Sequence, residues 1–412
     1  MIILKKENTN KLVKAITFLY LLSAIALYGT PDMTIYPQVL GFLLTLIFFL
    51  NIGIKKVKIN FSIPLKIFAI FIFITFLSTM FTSGSLSFFF TVFQVFMLLF
   101  ILSNILIMSN THEFYYWGVI AGALMTIFWQ IIEGRILLGS GINELGRVGG
   151  SVGNVNDYAF VLSVAINFLL FSFYNTAKKK KMVYWNMIKW IIILFLIVEC
   201  LFFSGSKSGI ILISISLLVF FIFKFNKTSF IRKILIFIAG LILISVITPR
   251  IVIDAIVIDR FENMFNLSKS NGKIYFYDDS SSDQRLNLII DGIRLWSERP
   301  FFGWGANEYR YVNKVTYDCY SHNNFIELLV NFGFLGFFLF YFIHFYLFRK
   351  LLKLNKMNQR NDEVNWLLLM LISLLIVDIT FVTYYNKIYI LVLAFILANT
   401  MHLEKYFKLK KK

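Results

Sequence analysis

LSFFFTVFQVFMLLFILSNILIM, residues 86–108, runs for 23 positions without an ionisable side chain. As a helix rising 1.5 Å per residue it is about 35 Å long, enough to cross the roughly 30 Å hydrocarbon core of a bilayer. Comparable runs fall near 13–28, 35–54, 63–82, 114–133, 157–175, 184–203, 208–225, 231–248, 323–348, 364–381 and 384–401. The whole chain agrees. Its 412 residues are 58% hydrophobic and 15% charged, with a mean hydropathy of +0.75, whereas a soluble domain is about half apolar and a quarter charged. With 5 prolines in the chain, long uninterrupted helices are expected, and a β-barrel would show short alternating segments instead. These features predict an all-α polytopic membrane protein of about 12 transmembrane helices.

The net charge of +18 invites a nucleic-acid reading, which its distribution opposes. With the N-terminus inside, an even number of spans puts both termini in the cytoplasm. The inner segments then hold Lys5, Lys6, Lys55, Lys56, Lys58, Lys178 to Lys181, Lys224, Lys227, Arg232 and Lys233. They also hold Arg349, Lys350, Lys353, Lys356, Arg360 and the tail from Lys405 to Lys412. The short outer loops 29–34, 83–87 and 382–383 carry no basic residue. That is the positive-inside bias, so the surplus charge is topological and no nucleic acid is expected. Ala24-Ile25-Ala26 after the first apolar run resembles a signal cleavage site, but an uncleaved first helix fits the spans that follow.

The chain reads as a single transmembrane domain, 1–412, with two outer loops of note. The first, 134–156, is rich in glycine, bringing backbone N–H groups within reach of an anion, and Asn156 or Asp157 is a ready cap for the next span. The second, 249–322, is the long outer loop. Its 266–282 portion reads as mobile. Residues 283–298 read as an amphipathic interfacial helix, with Leu286, Ile289, Ile290, Ile293 and Trp296 on or near one side. Pro300-Phe301-Phe302-Gly303-Trp304-Gly305 then breaks it.

Polar residues sort by depth. Glu199, Lys207, Glu327 and Asp378 all fall toward the outer ends of their spans, where a charge costs less than the about 2.5–3.5 kcal/mol of the bilayer centre. Any one of them alone is as well read as an interfacial anchor or a helix–helix bridge. Of the four histidines, His112, His344 and His402 lie toward the inner face, and His322 faces outward after a loop bearing Arg285, Arg294, Arg299 and Arg310. Cys200 and Cys319 lie on the outer side, paired or as plain buried thiols. No cluster has metal-ligand spacing, and neither a nucleotide loop nor a serine elbow is present, so no metal or cofactor is expected.

Three blocks carry a family likeness. They are Gly146-Arg147 with Gly149-Gly150 and Gly153-Asn154-Val155-Asn156-Asp157; Ser204-Gly205-Ser206-Lys207-Ser208-Gly209; and Arg285 to Trp296 with Pro300 to Gly305 and His322-Asn323 through Gly333. In this order and topology the chain resembles the O-antigen ligase and polymerase (Wzy_C) superfamily over residues 140–345, with Val155 where the family has proline and Lys207 where it has arginine. Lysine keeps the charge and loses the bidentate guanidinium fork.

The resemblance implies a GT-C-like glycosyltransferase of the bacterial cytoplasmic membrane, using an oligosaccharide carried on undecaprenyl pyrophosphate. It implies Arg147, Arg285 and His322 as catalytic residues, and Lys207, Asn156, Arg294 and Asn323 as binding the pyrophosphate or sugar. The expected function is polymerisation of capsular or O-antigen-type polysaccharide, with a flippase and a chain-length regulator as possible partners. Transfer of a lipid-linked glycan to another acceptor, as in a ligase, shares every one of these features. A transporter or flippase of lipid-linked oligosaccharide would instead show midplane polar residues and repeat symmetry, and a scaffold would tolerate loss of the outer Arg and His.

Overall fold

The computed structural model describes residues 11–27, 33–55, 59–81, 86–109, 112–132, 151, 154–176, 183–198, 204, 206–224, 267–270, 273–276, 280–357 and 362–410. Helices α1 (Lys11–Ala26), α2 (Ile35–Lys55), α3 (Ile63–Phe81), α4 (Leu86–Met108), α5 (Glu113–Ile132), α6 (Val155–Thr176), α7 (Val183–Val198) and α8 (Lys207–Lys224) come first. Strands β1 (Leu267–Ser270) and β2 (Lys273–Phe276) precede α9 (Ser280–Glu298), α10 (Tyr309–Val312), α11 (Asn324–Met357), α12 (Asp362–Val377) and α13 (Lys387–Lys410). The protein is an all-α membrane protein with one small hairpin. Among the described residues, six helices are long and apolar enough to cross a membrane: α2, α3, α4, α6, α11 and α13. The expected ninth span, 231–248, lies outside the described residues, as do Arg147, Glu199 and Cys200.

Within the stretch 266–282, expected to be mobile, residues 267–270 and 273–276 pair antiparallel, Leu267 opposite Phe276 and Ser270 opposite Lys273. The Asn271-Gly272 dipeptide between the strands is a two-residue hairpin signature that a reading by composition passes over.

The chain divides into two compact units, Met1–Leu50 with Asn110–Asp278, and Asn51–Ser109 with Asp279–Lys412. In the first, α1 packs on α5, and α6 on α5, α7 and α8. The α1–α5 contact is set by Gly118-x-x-x-Gly122. A Cβ at Gly122 would stand 2.8 Å from Ile25 Cβ, and one at Gly118 3.1 Å from Leu21 Cβ. Small residues at this spacing let two backbones approach where lipid supplies no hydrophobic drive.

The second unit is built around α11, which packs on α3, α9, α12 and α13, while α4 packs on α3 and α13. Its centre is aromatic: Phe71, Phe332, Phe340 and Tyr384 meet mostly edge to face. The expected tenth span is not one helix. At Gly333 the backbone turns to φ 62, ψ −164, a conformation close to glycine-only. A continuous helix would bond Phe334 N–H to Val330 C=O and Leu335 N–H to Asn331 C=O. Here the turn Pro300–Gly305 is inserted between them. Phe334 N donates to Pro300 O (2.8 Å) and Leu335 N to Phe301 O (3.2 Å), while Trp304 N and Gly305 N donate to Val330 O (2.8 Å) and Asn331 O (2.9 Å). These four backbone groups thus find new partners, the condition for non-helical backbone in an apolar surrounding.

Helix α9 turns a different face to α11. Leu288 and Leu295 are buried and Gly292 meets Ile326, whereas Leu286, Ile290 and Ile293 are exposed. Hydropathy alone selects the greasiest stripe. Here the contact is decided by the missing side chain of Gly292, since a Cβ there would stand 2.3 Å from Ile326 Cγ2. The exposed stripe keeps α9 amphipathic in the sense an interfacial helix requires.

Candidate functional site

The loop 313–323 between α10 and α11 is tied down from within. Asn313 Nδ2 donates to the carbonyls of Tyr309, Arg310 and Cys319 at 3.1–3.2 Å, and its Oδ1 accepts from Val315 N (3.2 Å) and Thr316 N (2.9 Å). Helix α9 holds it from outside through Asp291 Oδ2, which accepts from Lys314 N (2.9 Å), and Gln284 Nε2, which donates to Thr316 Oγ1 (3.0 Å). Cys319 in this loop is a free, half-buried thiol.

His322 ends the loop in the left-handed region, φ 55, uncommon for a side chain with a Cβ. What holds it there is Glu327. That side chain is fully buried, and its Oε2 accepts from Ser321 N at 2.8 Å, while Ser321 Oγ donates to Asn323 O (2.7 Å). Sequence reasoning left Glu327 unassigned because i+5 on one helix points away from His322. The helix starts only at Asn324, so that angular argument does not reach His322, and the carboxylate folds back under the loop. The imidazole packs on the Tyr320 ring at 4.2 Å. Burial, and secondarily the positive charge of Arg285, push its pKa down to about 4. At neutral pH His322 is therefore uncharged and able to accept a proton.

Arg285 and His322, two of the three residues expected to act together, are thus brought together electrostatically. Among the described residues, none is hydrogen-bonded to the Arg285 guanidinium. Arg294 is placed elsewhere: nine residues on, about 180° round α9 at about 100° per residue. Its charge is engaged by Asp291 (2.8 Å) and Glu298 (2.5 Å). Asn323 caps α11. Its Oδ1 accepts from Phe325 N (3.0 Å) and Ile326 N (3.1 Å), and its Nδ2 donates to Ile379 O (3.2 Å), so both ends of the amide are used by the protein. A residue that sequence reasoning passed over, Arg310, stands over Tyr320 (5.6 Å to the ring centre) and 3.5 Å from Asp318, and hydrogen-bonds Tyr385.

Beneath this loop lies a buried polar clasp. Asn324 Oδ1 accepts from Thr383 N (2.9 Å) and Tyr384 N (3.1 Å), and its Nδ2 donates to Tyr341 Oη (2.9 Å). Tyr341 (2.9 Å), Tyr389 (3.0 Å) and Thr383 all donate to the Asp378 carboxylate. His344 Nε2 is 2.6 Å from Tyr389 Oη. His344 was expected near the inner end of its span. It lies one hydrogen bond from Tyr389, which itself bonds Asp378.

In the other unit, Asn154, rather than Asn156 or Asp157, caps α6, its Oδ1 accepting from Asn156 N at 2.8 Å and Asp157 N at 3.4 Å. The Asn156 side chain turns to the second family-like block, accepting from Ser206 Oγ (2.9 Å), which also lies 3.0 Å from Ser208 Oγ. Lys207 directly follows Ser206 as the first residue of α8. Two blocks separated by fifty residues therefore meet at Asn156, while Arg147 lies outside the described residues.

Residues 192–341 match the family model Wzy_C, described as O-Antigen ligase. The match takes in Lys207, Arg285, His322 and Gly333, and leaves out Arg147 and Asn156. No curated protein matches the chain.

Proposed function

Residues 192–341 carry an O-antigen ligase-family domain, and from that premise we propose that the protein is a membrane glycosyltransferase polymerising capsular or O-antigen-type polysaccharide. Its substrate is an oligosaccharide on undecaprenyl pyrophosphate at the outer face of the bacterial cytoplasmic membrane. The observation that carries this reading is the family match, which takes in Arg285 and His322, with His322 on a loop locked by buried hydrogen bonds.

The chemistry follows from these groups. His322 accepts the proton of an acceptor hydroxyl as its oxygen attacks C1 of the donor sugar, and the C1–O bond to the diphosphate breaks. Arg285 carries the negative charge that gathers on the leaving lipid pyrophosphate. Arg285 also links the two roles. Its positive charge helps hold the imidazole pKa down; once a diphosphate sits against it that repulsion falls, and His322 becomes a better base when the donor is in place. General-base catalysis of this kind contributes about 10²–10⁴-fold.

In this reading the chain has 12 spans in a GT-C-like arrangement, with both termini cytoplasmic, and works beside a flippase and a chain-length regulator. Fixed cations take the role a metal would otherwise fill. The test is purified protein with purified lipid-linked repeat units and no nucleotide. A ladder of lengthening products is expected. A single transfer to a core lipid or other acceptor, without a ladder, would identify a ligase, and movement of the lipid across vesicles without bond formation a transporter.

A further inference from the structure

Two tyrosines flank Asn313, Tyr311 in α10 and Tyr317 on the locked loop, and both are displayed to solvent. Tyr311 is 49% and Tyr317 80% exposed, and their rings stand 6.0 Å apart at 57°, forming an open angle. Loops that expose apolar rings ordinarily gain by letting them fold down. Here Asn313 between them fixes the backbone with five hydrogen bonds, so the rings are held out at no further entropic cost. Rigid tyrosines offer a large amphipathic contact with few torsions to freeze.

The pair is joined to the reactive groups along two routes. On one side Thr316, next to Tyr317, accepts from Gln284, the residue before Arg285. On the other, Asp318 pairs with Arg310, whose guanidinium covers Tyr320, which in turn packs on His322. Both routes end at the Arg285–His322 pair.

We infer that Tyr311 and Tyr317 form a binding platform for the acceptor glycan, gripping sugar residues next to the one whose hydroxyl faces His322. A pyranose has a face of C–H bonds, weakly positive and apolar, which matches the negative face of an aromatic ring. Its hydroxyl rim suits the exposed Asp318 and Lys314 alongside. A platform of this kind holds a chain through successive additions, setting product length apart from the chemical step. The inference rests on the glycosyltransferase reading for its occupant.

The experiment uses the full-length protein in nanodiscs, with Tyr311→Ala, Tyr317→Ala and the two Phe replacements. Free repeat-unit oligosaccharide, released by mild acid from the host's lipid-linked pool, serves as probe for saturation-transfer NMR. Expected results are transfer to sugar C–H protons in the wild type and Phe variants and its loss in the Ala variants. In the polymerisation assay the Ala variants should give a shortened ladder and a roughly tenfold higher acceptor KM, with donor KM unchanged. Wild-type ladders and KM in both Ala variants would overturn the platform, as would Ala variants whose only defect is poor accumulation in membranes, which would mark the rings as bilayer anchors. Loss of sugar binding in the Ala variants of a protein that makes no polymer would keep the platform and sink the reaction.

Discussion

His322 is uncharged at neutral pH because it is buried and because Arg285 stands near. The acid limb of kcat/KM should therefore fall near pH 4 in the free enzyme rather than at the ordinary imidazole value of 6.5. Arg285→Gln removes a positive neighbour and should move the limb of the residual activity upward, part of the way only, since burial is the larger cause. A limb that stays put in that variant would separate the two residues. The same shift bears on stability. The unfolded chain takes up this proton as pH falls through 6.5 and the folded chain only near 4, so folding weakens progressively across that window and is unaffected above it. Glu327 acts one step back, as a positioning residue. Glu327→Ala leaves the buried Ser321 N–H without its acceptor, an expected loss of about 1–3 kcal/mol. Glu327→Gln keeps an acceptor oxygen and should restore both thermal stability and rate; a Gln variant as poor as Ala would mean the charge itself is needed.

At the scale of elements, the break in α11 and the turn Pro300–Gly305 make one joint. A Cβ at Gly333 would lie 2.3 Å from Phe301 C and O, and one at Gly303 2.5 Å from Val330 O, both at positive φ. Gly333→Ala or Gly303→Ala should each cost more than the about 1–3 kcal/mol of backbone strain alone, read as a large drop in melting temperature in detergent. Proline at 304, with Trp304→Ala as control for the lost ring, would test the hydrogen bond from the 304 N–H to Val330 O that helps close the break. The amphipathic stripe of α9, with Leu286, Ile290 and Ile293 exposed, was legible in the sequence; the face that meets α11 was not, because it is opened by the missing side chain of Gly292. Likewise Glu327 and Arg310 were legible as outer-side residues but were given no role, because their contacts depend on where the chain turns back.

For the whole molecule, the charge distribution predicts both termini in the cytoplasm and the His322 loop outside. Single cysteines at Lys314 and Lys408 in a background lacking Cys200 and Cys319 should label oppositely in intact cells with an impermeant maleimide, 314 accessible and 408 protected. Labelling of 408 would invert the topology and remove the outer-face site. Hydropathy determines the class, and lysine placement predicts the orientation, because they report on a solvent that acts on each segment by itself. They say nothing of the joint at Gly333, the glycine-defined contacts, or the neutral imidazole beside Arg285. Those were decided by tertiary structure, since each depends on residues distant in sequence meeting within a few ångströms, where a missing Cβ or a buried carboxylate outweighs local preference.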